Sequence, residues 1–191
     1  MTSPNELVTD FHNTYGHPIR STDAPTVDYE RVHMRYALIA EEFAELTGAI
    51  YGPQARRIIE DRIFLVQNYS DQYTRDVVES ADALADMVYV IYGMALESGI
   101  PLDDILEEVQ RSNMSKLPPC ESCDGTGFFG EPEVNDDKQS FSVSFCQDCE
   151  GSGYGPPIYR ADGKILKGRN FSEPNIKKIL FKESTENDAA Q

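Results

Sequence analysis

The stretch Glu79-Ser-Ala-Asp82-Ala-Leu-Ala-Asp86-Met-Val-Tyr-Val-Ile-Tyr-Gly-Met-Ala-Leu96 decides how this chain folds. Its uninterrupted run without proline, stopped by Gly99, predicts a helix from about Arg75 to Ser98. At about 100° per residue, Glu79, Asp82 and Asp86 fall within roughly a 60° arc. Val77, Ala81, Leu84, Val88, Ile91 and Ala95 occupy the opposite side. The acidic face itself continues through Met87, Val90, Gly93 and Met94, and Asp86 is the sole charge from Leu84 to Leu96. A helix apolar all round is normally buried. A buried carboxylate needs a cation, a hydrogen-bond network or a proton. Asp86 is therefore expected to be buried and to have such a partner.

Upstream, Val32, Tyr36, Ile39, Phe43, Leu46 and Ile50 step by three or four residues and predict a helix from about Asp28 to Tyr51, ended by Gly52-Pro53. Glu41, Glu42 and Glu45 lie within roughly a 100° arc beside that apolar stripe. Alone, either cluster reads as the solvated face of an amphipathic helix. Together, six acids on two helices repel one another, a penalty that a hard divalent cation such as Mg²⁺ or Mn²⁺ removes. The two clusters are read as one divalent-metal site.

Working outward, Ser3-Pro4-Asn5-Glu6 has the form of a capping box opening a short helix, and Gly16 to Thr26 reads as a loop. A shorter amphipathic helix is expected over 53–68, a linker from Asn68 to Thr74, and a further helix from Pro101. Composition changes at residue 118, where glycine, proline and cysteine become frequent, with a short strand expected over 141–145. Residues 1–117 are expected to form an α-helical bundle, 118–157 a small zinc-binding insertion, 158–181 a return segment and 182–191 a disordered tail. The fold class is all-α with that small insertion.

The insertion carries Cys120-x-x-Cys123-Asp-Gly-Thr-Gly and Cys146-x-x-Cys149-Glu-Gly-Ser-Gly, one motif twice. Two such pairs suit one tetrahedral Zn²⁺ held by Cys120, Cys123, Cys146 and Cys149. A closed four-cysteine site has no open coordination position, so the role is structural. A redox dithiol would need a βαβ context that the sequence lacks.

A length of 191 residues suits one domain with a small module, and 40% hydrophobic residues supply a core. The net charge of −16 leaves no broad basic footprint for nucleic acid, so none is expected as a partner. With a pI of about 4.5, any nucleotide substrate needs metal ions to screen it from this field. Met1-Thr-Ser-Pro-Asn-Glu shows no signal-like character, and the longest apolar run is too short for a bilayer and contains Asp86. A cytoplasmic protein without membrane contact is expected, and its thiols there serve as metal ligands rather than disulfides.

The combination of Glu41-Glu42-x-x-Glu45 with an acidic motif leading into Asp86-Met-Val-Tyr-Val-Ile-Tyr-Gly resembles the all-α NTP pyrophosphohydrolase superfamily, which includes MazG-like enzymes and phosphoribosyl-ATP pyrophosphohydrolase. Arg111-Ser-Asn-Met-Ser-Lys116 and Asp162-Gly-Lys-Ile-Leu-Lys-Gly168 resemble a MazG-like branch that includes dUTPase-type members. The resemblance implies hydrolysis between the α and β phosphates of a nucleotide, giving a nucleoside monophosphate and pyrophosphate. It implies two or more Mg²⁺ or Mn²⁺ ions on Glu42, Glu45 and the Glu79/Asp82/Asp86 group, with Glu41 or Glu42 orienting water. Arg111, Asn113, Lys116, Lys164 and Lys167 would bind substrate, and a homodimer or homotetramer would form. The superfamily pattern Glu-x-x-Asp is met by Glu79 and Asp82, whereas alignment on Asp86 puts Ala83 at the glutamate position. Both assignments stay open. A non-catalytic zinc-bearing binding protein, and an enzyme for phosphoribosyl-ATP or a signalling nucleotide, are the competing readings. The cysteine repeat resembles the zinc repeats of DnaJ-type chaperones, without any J-domain signature.

Overall fold

The computed structural model describes residues 2–69, 75–130 and 144–181. Two compact units emerge, Met1–Ile19 with Tyr92–Gln191, and Arg20–Ile91. The expected tail at 182–191, part of the linker and residues 141–143 lie outside the described residues.

In the first unit, α1 (Pro4–Thr14) opens on the expected capping box. The Ser3 hydroxyl accepts from the Glu6 N–H at 3.3 Å, and the Glu6 carboxylate accepts from the Ser3 N–H at 2.8 Å. These bonds satisfy donors that a helix start otherwise leaves without partners. α1 packs against α5 (Leu102–Met114), and α5 against α6 (Ile176–Leu180), a helix too short to leave a periodic signal. The unit's core is Tyr15, Leu117 and Ile165, with Phe11 and Met114 packed on it. Tyr15 is 1% exposed, and its hydroxyl donates to the Asn113 carbonyl at 2.8 Å, with the Met114 carbonyl at 3.1 Å. It thereby adds a partner at the last carbonyls of α5, of which Asn113 also accepts from the Lys116 N–H at 3.2 Å. Tyr159 donates in turn to the Tyr15 carbonyl at 2.5 Å. Burial pushes the Tyr15 phenol above its ordinary value.

In the second unit, α2 (Val32–Tyr51) packs against α3 (Pro53–Gln67). Gly52, at φ 93°, makes the turn between them. Gly48 lets the helices close up, since a Cβ there would sit 3.1 Å from Arg56 Cβ. α2 begins four residues later than expected because Asp28 is engaged outside the helix, accepting from Arg75 at 2.6 Å. α4 (Val77–Ser98) starts at Asp76, whose carboxylate accepts from the N–H groups of Val78 and Glu79 at 2.9 and 3.1 Å. It ends with Gly99 at φ 66° and the Ile100 N–H bonded to the Ala95 carbonyl at 2.9 Å.

The cysteine insertion contributes β1 (Phe128–Phe129) and β2 (Ser144–Phe145), which pair antiparallel with Phe128 opposite Phe145. The architecture is therefore mostly helical with a small cysteine-bearing insertion, as expected. Among the described residues no single helix is long and apolar enough to cross a membrane. α4 and α5 reach that length only together, across a 113° bend.

Candidate active site and metal centre

α2 turns its small residues Ala40 and Ala44 inward. Glu41 on the same helix is half-buried, while Glu42 and Glu45 are exposed. Glu45 accepts from Arg56 at 3.2 Å, and the same guanidinium donates to Glu60 at 2.7 Å. Both pairs lie in solvent, where they contribute little to stability. Glu79, Asp82 and Asp86 project from α4 and are all exposed.

The exposure of Asp86 corrects the expectation of burial. Every residue from Ala81 to Ile91 is exposed, including Tyr89 at 81% and Val88 at 56%. The physical cause is that no helix of the described residues packs on this part of α4 as α3 packs on α2. The sequence pattern for burial is present, but among the described residues no helix supplies the covering surface. Among the described residues the cysteines are the one group of three or more ligating side chains gathered tightly enough for an ion. The six acids thus offer the hard oxygen donors that Mg²⁺ or Mn²⁺ prefers, without being gathered into a closed site among the described residues.

The basic candidates all lie in the first unit. Arg111 donates twice to Glu108, both at 2.8 Å, and also to the Glu173 carbonyl at 2.9 Å. The Arg111 guanidinium, helped by the Asn175 N–H, holds the Glu108 carboxyl down at about 2. Lys167 stands 3.6 Å from the Glu173 carboxylate and 4.2 Å from the centre of the Phe171 ring. Arg111 and Lys167 are thereby brought to one residue, Glu173. Lys116 lies over the Phe11 ring at 5.9 Å, and Asn113 serves Tyr15 through its backbone. Lys164 closes a turn in which Asp162 accepts from the Lys164 N–H at 3.1 Å and from the Arg160 guanidinium at 2.9 Å. The Arg160 guanidinium holds the Asp162 carboxyl at about 2.

The cysteine module is fully formed. The Sγ atoms of Cys120 and Cys146 are 3.8 Å apart, those of Cys123 and Cys149 are 3.7 Å apart, and all four lie within 4.8 Å. Bonds of about 2.3 Å to a tetrahedral zinc would place sulfurs about 3.8 Å apart, so the cage fits that ion. The two copies of the motif repeat each other bond for bond. Gly127 N–H donates to Cys123 Sγ at 3.2 Å and Gly153 N–H to Cys149 Sγ at 3.3 Å. Cys120 N–H reaches the Gly153 carbonyl and Cys146 N–H the Gly127 carbonyl, each at 2.9 Å. Gly127 and Gly153 sit at φ 79° and 76° against the opposite copy's backbone, where no side chain has room. Burial pushes the Cys123 thiol up, but the Gly127 N–H and the neighbouring thiols outweigh it and hold it at about 7. Burial pushes Cys146 up to about 11.

Both acidic helices, with the segment joining them, fall within a single known sequence family. Residues 8–113, more than half of the chain, match the phosphoribosyl-ATP pyrophosphohydrolase family. The chain belongs to this family. The match ends before the cysteine module, which is an addition to the phosphoribosyl-ATP pyrophosphohydrolase segment. In three dimensions the chain is similar to a crystal structure from Exiguobacterium sp. 255-15 assigned as an NTP pyrophosphohydrolase. The TM-score is 0.53 and the identity 21%, over 94% of this chain and 93% of that one. At that identity the likeness speaks for the fold. No curated protein matches the chain in sequence. Family membership supports pyrophosphohydrolase chemistry in general.

Proposed function

We propose that this chain is a metal-dependent nucleoside triphosphate pyrophosphohydrolase of the MazG-like branch, acting on ribo- or deoxyribonucleotides. Water adds between the α and β phosphates, the bridging P–O bond breaks, and a nucleoside monophosphate and pyrophosphate leave. The observation that carries this reading is the family match, which spans both acidic clusters in one continuous segment. Glu42, Glu45 and members of the Glu79, Asp82 and Asp86 group would hold Mg²⁺ or Mn²⁺. The ions would neutralise the phosphates and lower the pKa of a bound water. Glu41 or Glu42 takes the proton of the attacking water. Arg111, Asn113, Lys116, Lys164 and Lys167 serve the phosphates in this reading. Arg111 would first release the largely covered Glu108, and Lys167 the exposed Glu173, a pair that costs little to break.

One structural Zn²⁺ occupies the cysteine cage in this reading, and a homodimer or homotetramer covers the apolar circumference of α4. A second copy would supply there a dry wall around the carboxylates, within which charge interactions strengthen. The family's own name favours phosphoribosyl-ATP as a second substrate class.

The test is pyrophosphate release from ribo- and deoxyribonucleoside triphosphates and phosphoribosyl-ATP with Mg²⁺ or Mn²⁺. Glu42→Ala is expected to abolish turnover and to leave zinc near one per chain. Absence of turnover on every member of the panel overturns the reading and leaves a zinc-bearing binding protein on this fold. Loss of zinc in Glu42→Ala would contradict the separation of the two sites.

A further inference from the structure

Between the cysteine module and the return segment, wholly within the first unit, lies a cleft of about 680 Å³. Ligand sites for small molecules span roughly 300–1,000 Å³ and are lined mainly by apolar groups with a few converging polar ones. This cleft has that character. Pro118, Pro119, Pro156 and Ile158 give it rigid apolar walls, and Lys167 and Arg169 bring cations to it.

The frame is held from both sides. The strip Pro118–Cys120 is bonded on one side by Gly155 N–H to the Pro118 carbonyl at 2.8 Å and by Cys120 N–H to the Gly153 carbonyl at 2.9 Å. Beside it, Gly168 N–H bonds the Lys116 carbonyl at 3.1 Å. A Cβ on Gly168 would stand 2.6 Å from that carbonyl and 3.0 Å from the Pro118 nitrogen, so only glycine lets the return segment run this close. Its neighbours in sequence on either side are Lys167 and Arg169, which are fixed at the cleft by that contact. Among the described residues Arg169 has no ion-pair partner, and Lys167 has only the long pair with Glu173. The lining joins these two cations of the return segment with two carboxylates of the module, Glu121 and Asp148, and with apolar walls, which suits a ligand carrying an anionic group and hydrogen-bond donors on an apolar body.

We propose that this cleft binds a phosphorylated nucleoside, with Arg169 and Lys167 on phosphate oxygens and the proline walls against the base. Arg169 is the specific addition, since its planar guanidinium matches two phosphate oxygens at once. Asp148, also at the cleft, is occupied by the Ser122 hydroxyl and leaves its second oxygen for a donor on the ligand. The cysteine module is then a wall of a binding site as well as a staple, and the cleft works independently of the carboxylates of α2 and α4.

The experiment is equilibrium binding of α,β-methylene nucleoside triphosphates, nucleoside monophosphates and inorganic pyrophosphate to the zinc-loaded full chain without added Mg²⁺. Arg169→Ala is expected to weaken triphosphate binding about tenfold and Arg169→Glu further, as loss of a charge-assisted pair demands, with zinc content unchanged. Monophosphates are expected to bind more weakly than triphosphates, and pyrophosphate more weakly than either, because it leaves the proline walls unused. Unaltered nucleotide affinity in both Arg169 variants overturns the proposal, and so does pyrophosphate binding as tightly as the triphosphate. Glu42→Ala should bind as the parent does while losing turnover. Arg169-dependent binding in a chain that hydrolyses nothing would sink the proposed activity and keep the cleft.

Discussion

The cysteine module and the acidic helices each gather ligands from two short motifs, yet the chain completes one and leaves the other open. In the module, Cys120 to Cys149 are drawn together by backbone bonds that the motif itself carries, each copy's first cysteine bonding the last glycine of the other copy. On the helices, Glu41 to Asp86 stand on the rims of apolar faces, and α4 has no helix of the described residues packed along its middle. Ligand sets built from local turns are finished by local geometry. Ligand sets built on helix faces are finished only by whatever covers those faces.

The largest effect expected from testing this contrast is on the module. Cys146→Ser, or removal of metal by a strong chelator, should release the zinc and unfold the segment around it, seen as loss of protected amides in residues 118–130 and 144–157, while helical circular dichroism largely persists. Persistence of the module without metal would show that its backbone bonds suffice. Next, Val88→Asp on the exposed face of α4 is expected to reduce any dimer or tetramer to the 21.4 kDa monomer, measured by light scattering on a sizing column. An unchanged mass would mean that α4 is covered some other way.

A smaller change sharpens the module's side of the comparison. Gly153→Ala puts a Cβ against the Gly125 carbonyl at a backbone φ of 76°, and should destabilise the module by about 1–3 kcal/mol. The readout is a shift in zinc affinity against a competing chelator. The smallest effect concerns Glu108. Its folded value of about 2 lies below the ordinary 4.5, so its clamp on Arg111 and the Asn175 N–H is fully present above about pH 4.5. That contribution is lost as pH falls from 4.5 through 2. Amide exchange at Asn175 should speed up over that window and stay flat above it, and Glu108→Gln should remove the dependence.

The same contrast explains what could be read from the residues alone. The helices were legible because their apolar steps and caps are local, as Ser3-Pro4-Asn5-Glu6 and Gly52-Pro53 show. The four cysteines were legible because spacing alone specifies a tetrahedral cage. The exposure of Asp86 was not, because an all-round apolar helix says that something covers it without saying whether that something is in the same chain. α6 has five residues, too few for a periodic signal. Arg169 carries no motif; only the approach of Gly168 to Lys116 brings it to the cleft. Arg111 was read as a phosphate ligand, and its bond to the Glu173 carbonyl, which ties the return segment to α5, depends on a partner 62 residues away.

The hydroxyl of Tyr15 has a consequence for the order in which the chain acquires structure. Its bond to Asn113 spans 98 residues, and the Tyr159 bond to its carbonyl spans 144. During synthesis α1 emerges well before Ile165, which completes its core. Residues 20–91, looped out between the two halves of the first unit, have no such delay. Such non-local closure slows folding. α1 is thus made before the elements that secure it, and the apolar faces of α2 and α4 emerge while it waits.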